Sequence, residues 1–583
     1  MNPMQSAIGW QAEAVLIATL VAPVALALLG AVRSYRRHAP WMAVLAALPA
    51  LVCVLTVPVG AMVESSWLLL QSRFGMDATG KFFLMFTAVL WLLCALFATG
   101  YMARDDKRFR FGFGFLLAMG GNFGLILAMD MLTYLVAFAL MSFASYSLVV
   151  HAQDPEAVRS GRVYIALVII GEIFLFSALF LHAGNGGDTN LHGLSGVLDA
   201  PHVALLLALG FGIKAGAVVL HVWLPLAHTV APTPASAVLS GSMIKAGLLG
   251  WIRFLPPASG GDPAWGAVFI AAGMTAAFYG VVIGLGQKHP KTVLAYSSIS
   301  QMGLITVAFG MGLTLGNGTP AAAVAVMCYA FHHALAKGAL FLGVAVVGGT
   351  KRRSRRRLWL TAILAVAALA LAGAPLTTGA LAKTALKTVM VHLPAGWETT
   401  LAILLPVSAI GTTVLMGRFF YTLRGFSTHH RVSTVETFSW IALVLLSASV
   451  LFMLPFVGPF ASAMLKPANI WLSFWPVAAG AGLTAGVAWM SRRAGRGLPW
   501  RPPAGDLLVP VEWLSGAVNR LASTLMNQAA WRTREDLEEP REGRAEQPPG
   551  RIEIWETGFS RWPTSSLIFA VIVCALLFVL SRK

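Results

Sequence analysis

Charge is scarce in this 583-residue chain, and acid scarcest of all: Asp and Glu number 24 against 42 Lys and Arg, and charged residues of both signs make up 11%. A soluble chain of this length would split into domains whose surface helices carry a polar face, and so little charge excludes that arrangement. Cysteine is nearly missing as well. Cys53, Cys94, Cys328 and Cys574 all lie in apolar runs, without the CxxC or Cys/His spacings that hold zinc, an iron–sulfur cluster or haem. The chain is therefore expected to hold no metal or redox cofactor of its own. The first apolar segment lacks a basic leader and a small-residue cleavage site, so it reads as a retained helix rather than a signal peptide.

What is present is apolar sequence, 57% of the chain. It falls into uncharged runs of about 20 residues, the length that crosses a bilayer. Spans are expected near residues 12–32, 41–63, 82–101, 111–129, 131–150, 163–183, 203–224 and 234–254. They continue near 264–286, 293–315, 320–348, 358–391, 399–421, 436–457, 471–491 and 565–581. The fold class is thus an all-α polytopic membrane protein of about 16 transmembrane helices. Basic clusters follow the odd-numbered spans: Arg33, Arg36 and Arg37; Arg104 to Arg110; Lys288 and Lys291; Lys351 to Arg357; and Arg492, Arg493 and Arg496. The positive-inside rule puts those loops in the cytoplasm and the N-terminus outside a bacterial inner membrane. Topology then accounts for the formal charge of +18, and nucleic acid is not an expected partner.

Two spans look interrupted. The seventh runs into His221-Val-Trp-Leu-Pro225, and the twelfth carries Gly373-Ala-Pro375, so Pro225 and Pro375 are the expected helix breaks. Broken helices at membrane depth line hydrated cavities, and paired breaks in two halves of a chain point to a transport site. The breaks lie five spans apart, and a unit with an odd number of crossings is inverted in its second copy. The expected organisation is helices 1–3 in residues 1–110, a first inverted repeat in 111–258, a second in 259–425 and helices 14–15 in 426–500. Residues 501–550 follow as an amphipathic lateral helix and linker, and 551–583 carry the last span. The amphipathic helix is read from Leu507, Leu508, Val511, Leu514, Val518, Leu521 and Leu525, spaced by about three or four residues.

Charges inside the spans carry the functional reading. Lys214, Lys245, Lys337 and Lys383 fall well inside spans seven, eight, eleven and twelve. At about 2.5–3.5 kcal/mol each, the four cost roughly 10–14 kcal/mol on insertion before compensation. Snorkelling to the headgroups or satisfying loose carbonyls is the ordinary role of such residues, and it suits Lys291 and Arg253. From mid-span the climb is about 10 Å or more, beyond a comfortable lysine reach. His332 and His333 sit about one turn before Lys337, and histidine titrates near neutrality. Glu172 is the one carboxylate near the centre of a span in the first repeat and is the candidate partner for Lys214. Asp130, at a span junction, reads as an interfacial cap.

Several long stretches resemble the antiporter-like proton-translocating subunits of respiratory complex I and its relatives, over roughly residues 110–420. They are Lys214-Ala-Gly with His221-Val-Trp-Leu-Pro-Leu-Ala-His228, Ala231-Pro-Thr-Pro-Ala-Ser-Ala237, Ser240-Gly-Ser-Met-Ile-Lys245, Leu294-Ala-Tyr-Ser-Ser-Ile-Ser-Gln-Met-Gly303 and His333-Ala-Leu-Ala-Lys337. Within the complex I, Mrp antiporter and group 4 hydrogenase superfamily, the Lys245 segment and the Leu140-Met-Ser-Phe-Ala-Ser-Tyr146 stretch look most like the branch of hydrogenase-4 and formate hydrogenlyase membrane subunits.

The resemblance implies a proton channel in each repeat, with Lys214 central to the first, Lys245 and Lys337 as connectors and Lys383 terminal. It also implies an energy-coupling, non-catalytic subunit of an oxidoreductase complex, whose partner subunits carry iron–sulfur clusters and a nickel–iron site or flavin. One departure bears on mechanism. Relatives carry Trp-Glu before the Leu-Met-Ser stretch on helix five, whereas this chain has Phe138-Ala139, and Glu172 is the expected replacement. A smaller departure is His289-Pro290, where relatives often have an acid before Lys291. Two other functions stay open: a subunit of a multisubunit cation/proton antiporter, carrying protons or sodium, and an ion-conducting partner in a non-redox anion-uptake assembly.

Overall fold

In a computed structural model the described residues are 3–65, 71–191, 194, 196–256, 261–316, 320–494 and 502–508. The chain divides into a main unit, residues 1–63 and 73–505, and a second unit of residues 64–72 and 506–583; the helices and sites below belong to the first. The lateral helix from residue 509 onward and the span at 565–581 lie outside the described residues.

Apolar sequence on every side of a helix removes any amphipathic face that would hold it at a water interface, and what forms is a bundle of spanning helices. The first six are α1 (Pro3–Ala31), α2 (Ala39–Thr56), α3 (Ala78–Tyr101), α4 (Arg108–Leu127), α5 (Met131–Val149) and α6 (Pro155–Gly184). The seventh span is split into α7 (Pro201–Ala215) and α8 (Trp223–Val230). The eighth is α9 (Thr233–Val238), a π-helical turn (Leu239–Met243) and α10 (Ile244–Phe254). Then come α11 (Pro263–Gly286), α12 (Pro290–Leu315) and α13 (Pro320–Gly348), and a twelfth span split into α14 (Arg355–Ala372) and α15 (Thr378–Met390). After them follow α16 (Ala395–Gly425), α17 (Thr434–Ser449), the short α18 (Gly458–Met464) and α19 (Pro467–Ala494). Among the described residues 13 helices are long and apolar enough to cross a membrane, and the two split spans come in addition. Two four-residue strands, Met62–Ser65 and Ser72–Gly75, depart from the all-α expectation.

The few acids serve helix starts. Asp77, Asp130, Asp154 and Asp262 each accept from the backbone N–H three residues on, where a carboxylate also suits the positive end of the helix dipole. Asp130 is the cap expected of it. Arg253 does not reach for solvent: it donates to the carbonyls of Leu125, Ile126 and Ala128 at 3.0, 2.8 and 2.8 Å and to Asp77 at 2.9 Å, tying the end of α4 to the start of α3.

Burial is uneven, and it places the interior. The apolar stretch of α13 is 100% buried and that of α12 is 89% buried, whereas those of α1 and α19 are 28% and 11% buried and face outward. α12 reaches the centre by backbone contact with α11: a Cβ on Gly303 would lie 2.5 Å from the Gly273 carbonyl oxygen, and one on Gly273 equally close to that of Gly303. Small residues at such crossings let helices pack where lipid supplies no hydrophobic drive. The bundle thereby buries two polar-studded helices at its core.

Candidate functional site

The first break begins at Gly216, earlier than the expected Pro225. Gly216 takes a left-handed φ of 73° and closes α7, and the Ala217 N–H reaches back to the Gly212 carbonyl at 2.9 Å. Pro225 sits in the first turn of α8, where its missing N–H leaves no helical bond unmade. The second break repeats this backbone. Gly373 has φ 85°, the Ala374 N–H reaches the Leu369 carbonyl at 3.0 Å, and Pro375 lies within the interruption. Three residues after each glycine stands a left-handed non-glycine, Val219 in one and Leu376 in the other, with φ 74° and 61°.

Lys214 occupies the last turn of α7, where the negative end of the helix dipole favours a cation. Its Nζ donates to the Tyr164 hydroxyl at 3.1 Å and lies 5.5, 5.8 and 6.0 Å from the ring centres of Tyr164, Trp223 and Phe138. Aromatic faces attract a desolvated cation at such distances. Tyr164 in turn donates to the Ser142 carbonyl at 3.0 Å. Phe138, the first residue of the altered helix-five pair, therefore stands beside the lysine. Glu172 is buried on the same α6 and interacts electrostatically with Lys214, yet neither of its carboxylate oxygens makes a hydrogen bond. No hydrogen bond joins the expected pair.

Lys245 and Lys337 stand at the two ends of a line of hydrogen bonds that is interrupted by two backbone carbonyls, those of Ser240 and Leu294. Lys245 donates to the Ser240 carbonyl at 2.7 Å, inside the π-helical turn five residues before it. The Ser240 hydroxyl meets the Ser298 hydroxyl at 2.8 Å, and Ser298 also donates to the Leu294 carbonyl at 3.1 Å. Lys337 donates to that same carbonyl at 2.7 Å and to the Ser297 hydroxyl. With relative exposures of 1% and 0%, Lys245 and Lys337 are enclosed by protein, and their ammonium groups end on internal carbonyls and a hydroxyl rather than at the surface, as a snorkelling lysine would. The π-turn sets the geometry of this line, as single π-turns at functional sites commonly do. It is anchored from the other side by Ser242, which donates to Asn122.

One turn from Lys337 on α13, His333 is wholly buried, neither ring nitrogen has a hydrogen-bond partner, and it feels the charges of Lys245, Lys337 and His332. His332 Nδ1 lies 2.8 Å from the Thr378 hydroxyl, whose own hydrogen goes to the Ser447 carbonyl at 2.7 Å. Nδ1 must therefore be the donor, leaving Nε2 without a partner beside the second break. Lys383, partly buried on α15, reaches back to the Ala372 carbonyl at 2.5 Å, the last residue of α14. Beside it a cavity of about 20 Å³, lined by Tyr329, Gly373, Lys387 and Ser408 among others, has room for a single water. These buried polar groups lie along an axis in the order Lys245, Ser240, Ser298, Lys337, with His333, His332 and Lys383 beyond, where among the described residues no hydrogen bond connects one to the next. Lys214 is linked toward the π-turn through Tyr164 and Ser145, whose hydroxyl donates to the Met243 sulfur at 3.2 Å, two residues short of Lys245 itself.

Sequence reasoning left out several members of this axis. Ser240, Ser297 and Ser298 fall in stretches that carry the resemblance but, being uncharged, have no expected role. His228, stacked on Phe341 at 4.6 Å, faces the charges of Lys337, Lys291 and Lys245. Lys291, assigned to carbonyl satisfaction or anchoring, is buried and donates to the Ala231 carbonyl at 2.6 Å.

The break also yields a stability prediction. A Cβ on Gly373 would meet Lys383 Cδ at 2.7 Å and Nζ at 2.8 Å, at a left-handed φ. Gly373→Ala is expected to cost about 1–2 kcal/mol from the backbone alone, seen as a lower thermal unfolding midpoint in detergent. Gly482→Ala, where nothing lies within 4 Å of the added Cβ, is expected to lower it not at all. Equal midpoints for the two variants would contradict this account of the break.

The fold and site together define a polytopic membrane protein with a buried, titratable polar axis between two broken helices. Residues 128–413, just under half of the chain, match the family described as NADH:quinone oxidoreductase/Mrp antiporter, TM. The chain is 33% identical over 367 residues to an uncharacterized protein of Mycobacterium tuberculosis, covering 59% of this chain and 57% of that one. It is 30% identical over 286 residues to hydrogenase-4 component B of Escherichia coli (strain K12), covering 47% of this chain and 43% of the other. The chain spans less than two-thirds of the length of these relatives. Among solved structures it is similar to a chain of the Mrp complex from Dietzia sp., with a TM-score of 0.71 at 24% identity, covering 94% of this chain and 65% of that one. That likeness bears on the fold.

Proposed function

We propose that the chain is the proton-translocating membrane subunit of a complex-I-like or group 4 hydrogenase-like respiratory assembly in a bacterial inner membrane, with its N-terminus outside. The observation that carries this reading is the axis from Lys245 through Ser240 and Ser298 to Lys337 and on by His333 and His332 to Lys383. Hydroxyls and imidazoles pass protons and lysines that exchange between ammonium and amine store them, while the backbone carbonyls at Ser240 and Leu294 only accept, so water is required to bridge from Lys245 and Lys337 to the neighbouring hydroxyls and imidazoles. The matching backbone of the two breaks supports two inverted repeats, 111–258 and 259–425, meeting at this axis. Electrons would travel in partner subunits carrying iron–sulfur clusters and a nickel–iron site or flavin, so this chain couples energy and performs no redox chemistry itself.

The similarity to hydrogenase-4 component B favours this reading. The family description and the Mrp fold likeness favour a second one, a subunit of a cation/proton antiporter. Both are tested by purifying the tagged chain with its companions and reconstituting the assembly in vesicles. The first reading expects redox subunits in the preparation and acidification driven by electron transfer in sodium-free buffer. Absence of redox subunits together with sodium-dependent proton exchange would transfer the chain to the second.

A further inference from the structure

The connection between α13 and α14 carries Lys351, Arg352 and Arg353, the first turn of α14 adds Arg355, Arg356 and Arg357, and no acid lies within residues 349–360. One of these turns inward. Arg357 donates to the Thr350 carbonyl at 3.1 Å and to those of Leu423 and Phe426 at 2.9 and 2.8 Å, clasping the connection to the end of α16. The Thr428 N–H adds a bond to the Gly348 carbonyl at 3.0 Å. Beside this clasp lies an open cleft of about 300 Å³, lined by Lys351, Ser354, Arg356 and Arg431 over the Gly349–Thr350 backbone.

Everything charged that faces the cleft is positive. The Ser354 side chain caps α14 by accepting from the Arg357 N–H at 3.1 Å, and the helix's first internal bond runs from Leu358 to the Ser354 carbonyl, so the positive end of the helix dipole adds to the guanidinium groups. The nearby acid, Glu436, is fully buried and committed: one oxygen meets His430 Nε2 at 2.6 Å and the other accepts from the Ser433 N–H at 3.0 Å. Next to the charge lies apolar surface. Leu358 and Trp359, directly after the arginines on α14, are 72% and 71% exposed, and Phe438 on α17 is 69% exposed. In a membrane-spanning chain, basic residues beside exposed Trp and Leu mark the level where headgroups meet acyl chains.

We propose that this cleft binds the headgroup phosphate of an anionic phospholipid, held by Lys351, Arg356 and Arg431, with the acyl chains lying along Leu358 and Trp359. A soluble anion would need the charges alone; the exposed apolar strip beside them fits a lipid. The site lies apart from the Lys/His axis and does not depend on the transport reading.

The test is a lipid titration of the purified full-length chain in detergent, followed by native mass spectrometry, with phosphatidylglycerol and phosphatidylcholine as probes. Phosphatidylglycerol is expected to be retained at about tenfold lower concentration than phosphatidylcholine. A K351Q/R356Q/R431Q variant is expected to lose that preference, while R33Q/R36Q/R37Q, altered at another basic cluster, keeps it. Arg357, which holds the connection in place, stays untouched. Should the triple variant misfold, R431Q alone is read instead, with about a threefold loss expected. Equal retention of the two lipids by the wild type, a preserved preference in the cleft variant, or loss of preference in the distant one overturns the proposal. Displacement of phosphatidylglycerol by millimolar inorganic phosphate overturns it too, because the cleft would then be a site for a free anion.

Discussion

Lys337→Met is expected to lower proton translocation by at least about a hundredfold while the assembly still forms. Lys337 is where the α12 serines meet the α13 histidines: it donates to the Leu294 carbonyl and to Ser297, and it lies one turn from His333. Methionine keeps nearly the same length and removes a buried cation from an apolar interior, a change that seldom unfolds a protein. The Leu294 carbonyl keeps the Ser298 hydroxyl as a partner, so no buried acceptor is orphaned. Lys337→Arg sharpens the result, because arginine retains the positive charge and does not give up its proton. If the site only needs charge, the arginine variant works; if it must release a proton, both variants fail. The measurement is quenching of a pH-sensitive dye in vesicles of the reconstituted assembly. Wild-type acidification by the methionine variant would remove Lys337 from the path.

The lysines were legible in the sequence because charge is costly in a bilayer and stands out against apolar runs. The same search could not see Ser240 and Ser298. A hydroxyl costs little in a helix and bonds within its own turn, so nothing in residue type distinguishes the serines that bridge Lys245 and Lys337 from Thr306, which bonds back to the Met302 carbonyl. The π-turn was hidden for a related reason: apolar sequence on all sides carries no phase, so one extra residue in a turn leaves no mark on the pattern. Prolines lie near both interruptions without marking where the helix stops, which is a left-handed glycine in each, Gly216 and Gly373. Pro225 lies in the opening turn of α8, where proline starts helices, and the conformational stop is the left-handed Gly216. The missing helix-five acid was plain from Phe138-Ala139, but only the fold shows an aromatic wall beside the lysine.

That wall sets up the second large effect. Lys214 has π-faces and the Tyr164 hydroxyl around it, and Glu172, buried on α6, makes no hydrogen bond of its own. If the carboxylate sets the lysine's charge state, Glu172→Gln removes an interaction of about 2 kcal/mol, and translocation is expected to fall about thirtyfold. Tyr164→Phe, which deletes one hydrogen bond of the lysine and leaves the ring in place, is expected to cost only a few-fold. The decisive comparison is the double variant. Two residues acting through one switch are non-additive, so Glu172→Gln with Lys214→Met should transport no more slowly than Lys214→Met alone. Multiplying losses would mean that Glu172 works on some other group. An undiminished rate in Glu172→Gln would make it a neutral buried acid, leaving Lys214 governed by its aromatic wall and Tyr164. The line from Lys214 through Tyr164 and Ser145 ends on the Met243 sulfur, which carries no proton, so the first repeat would then modulate the axis rather than feed it.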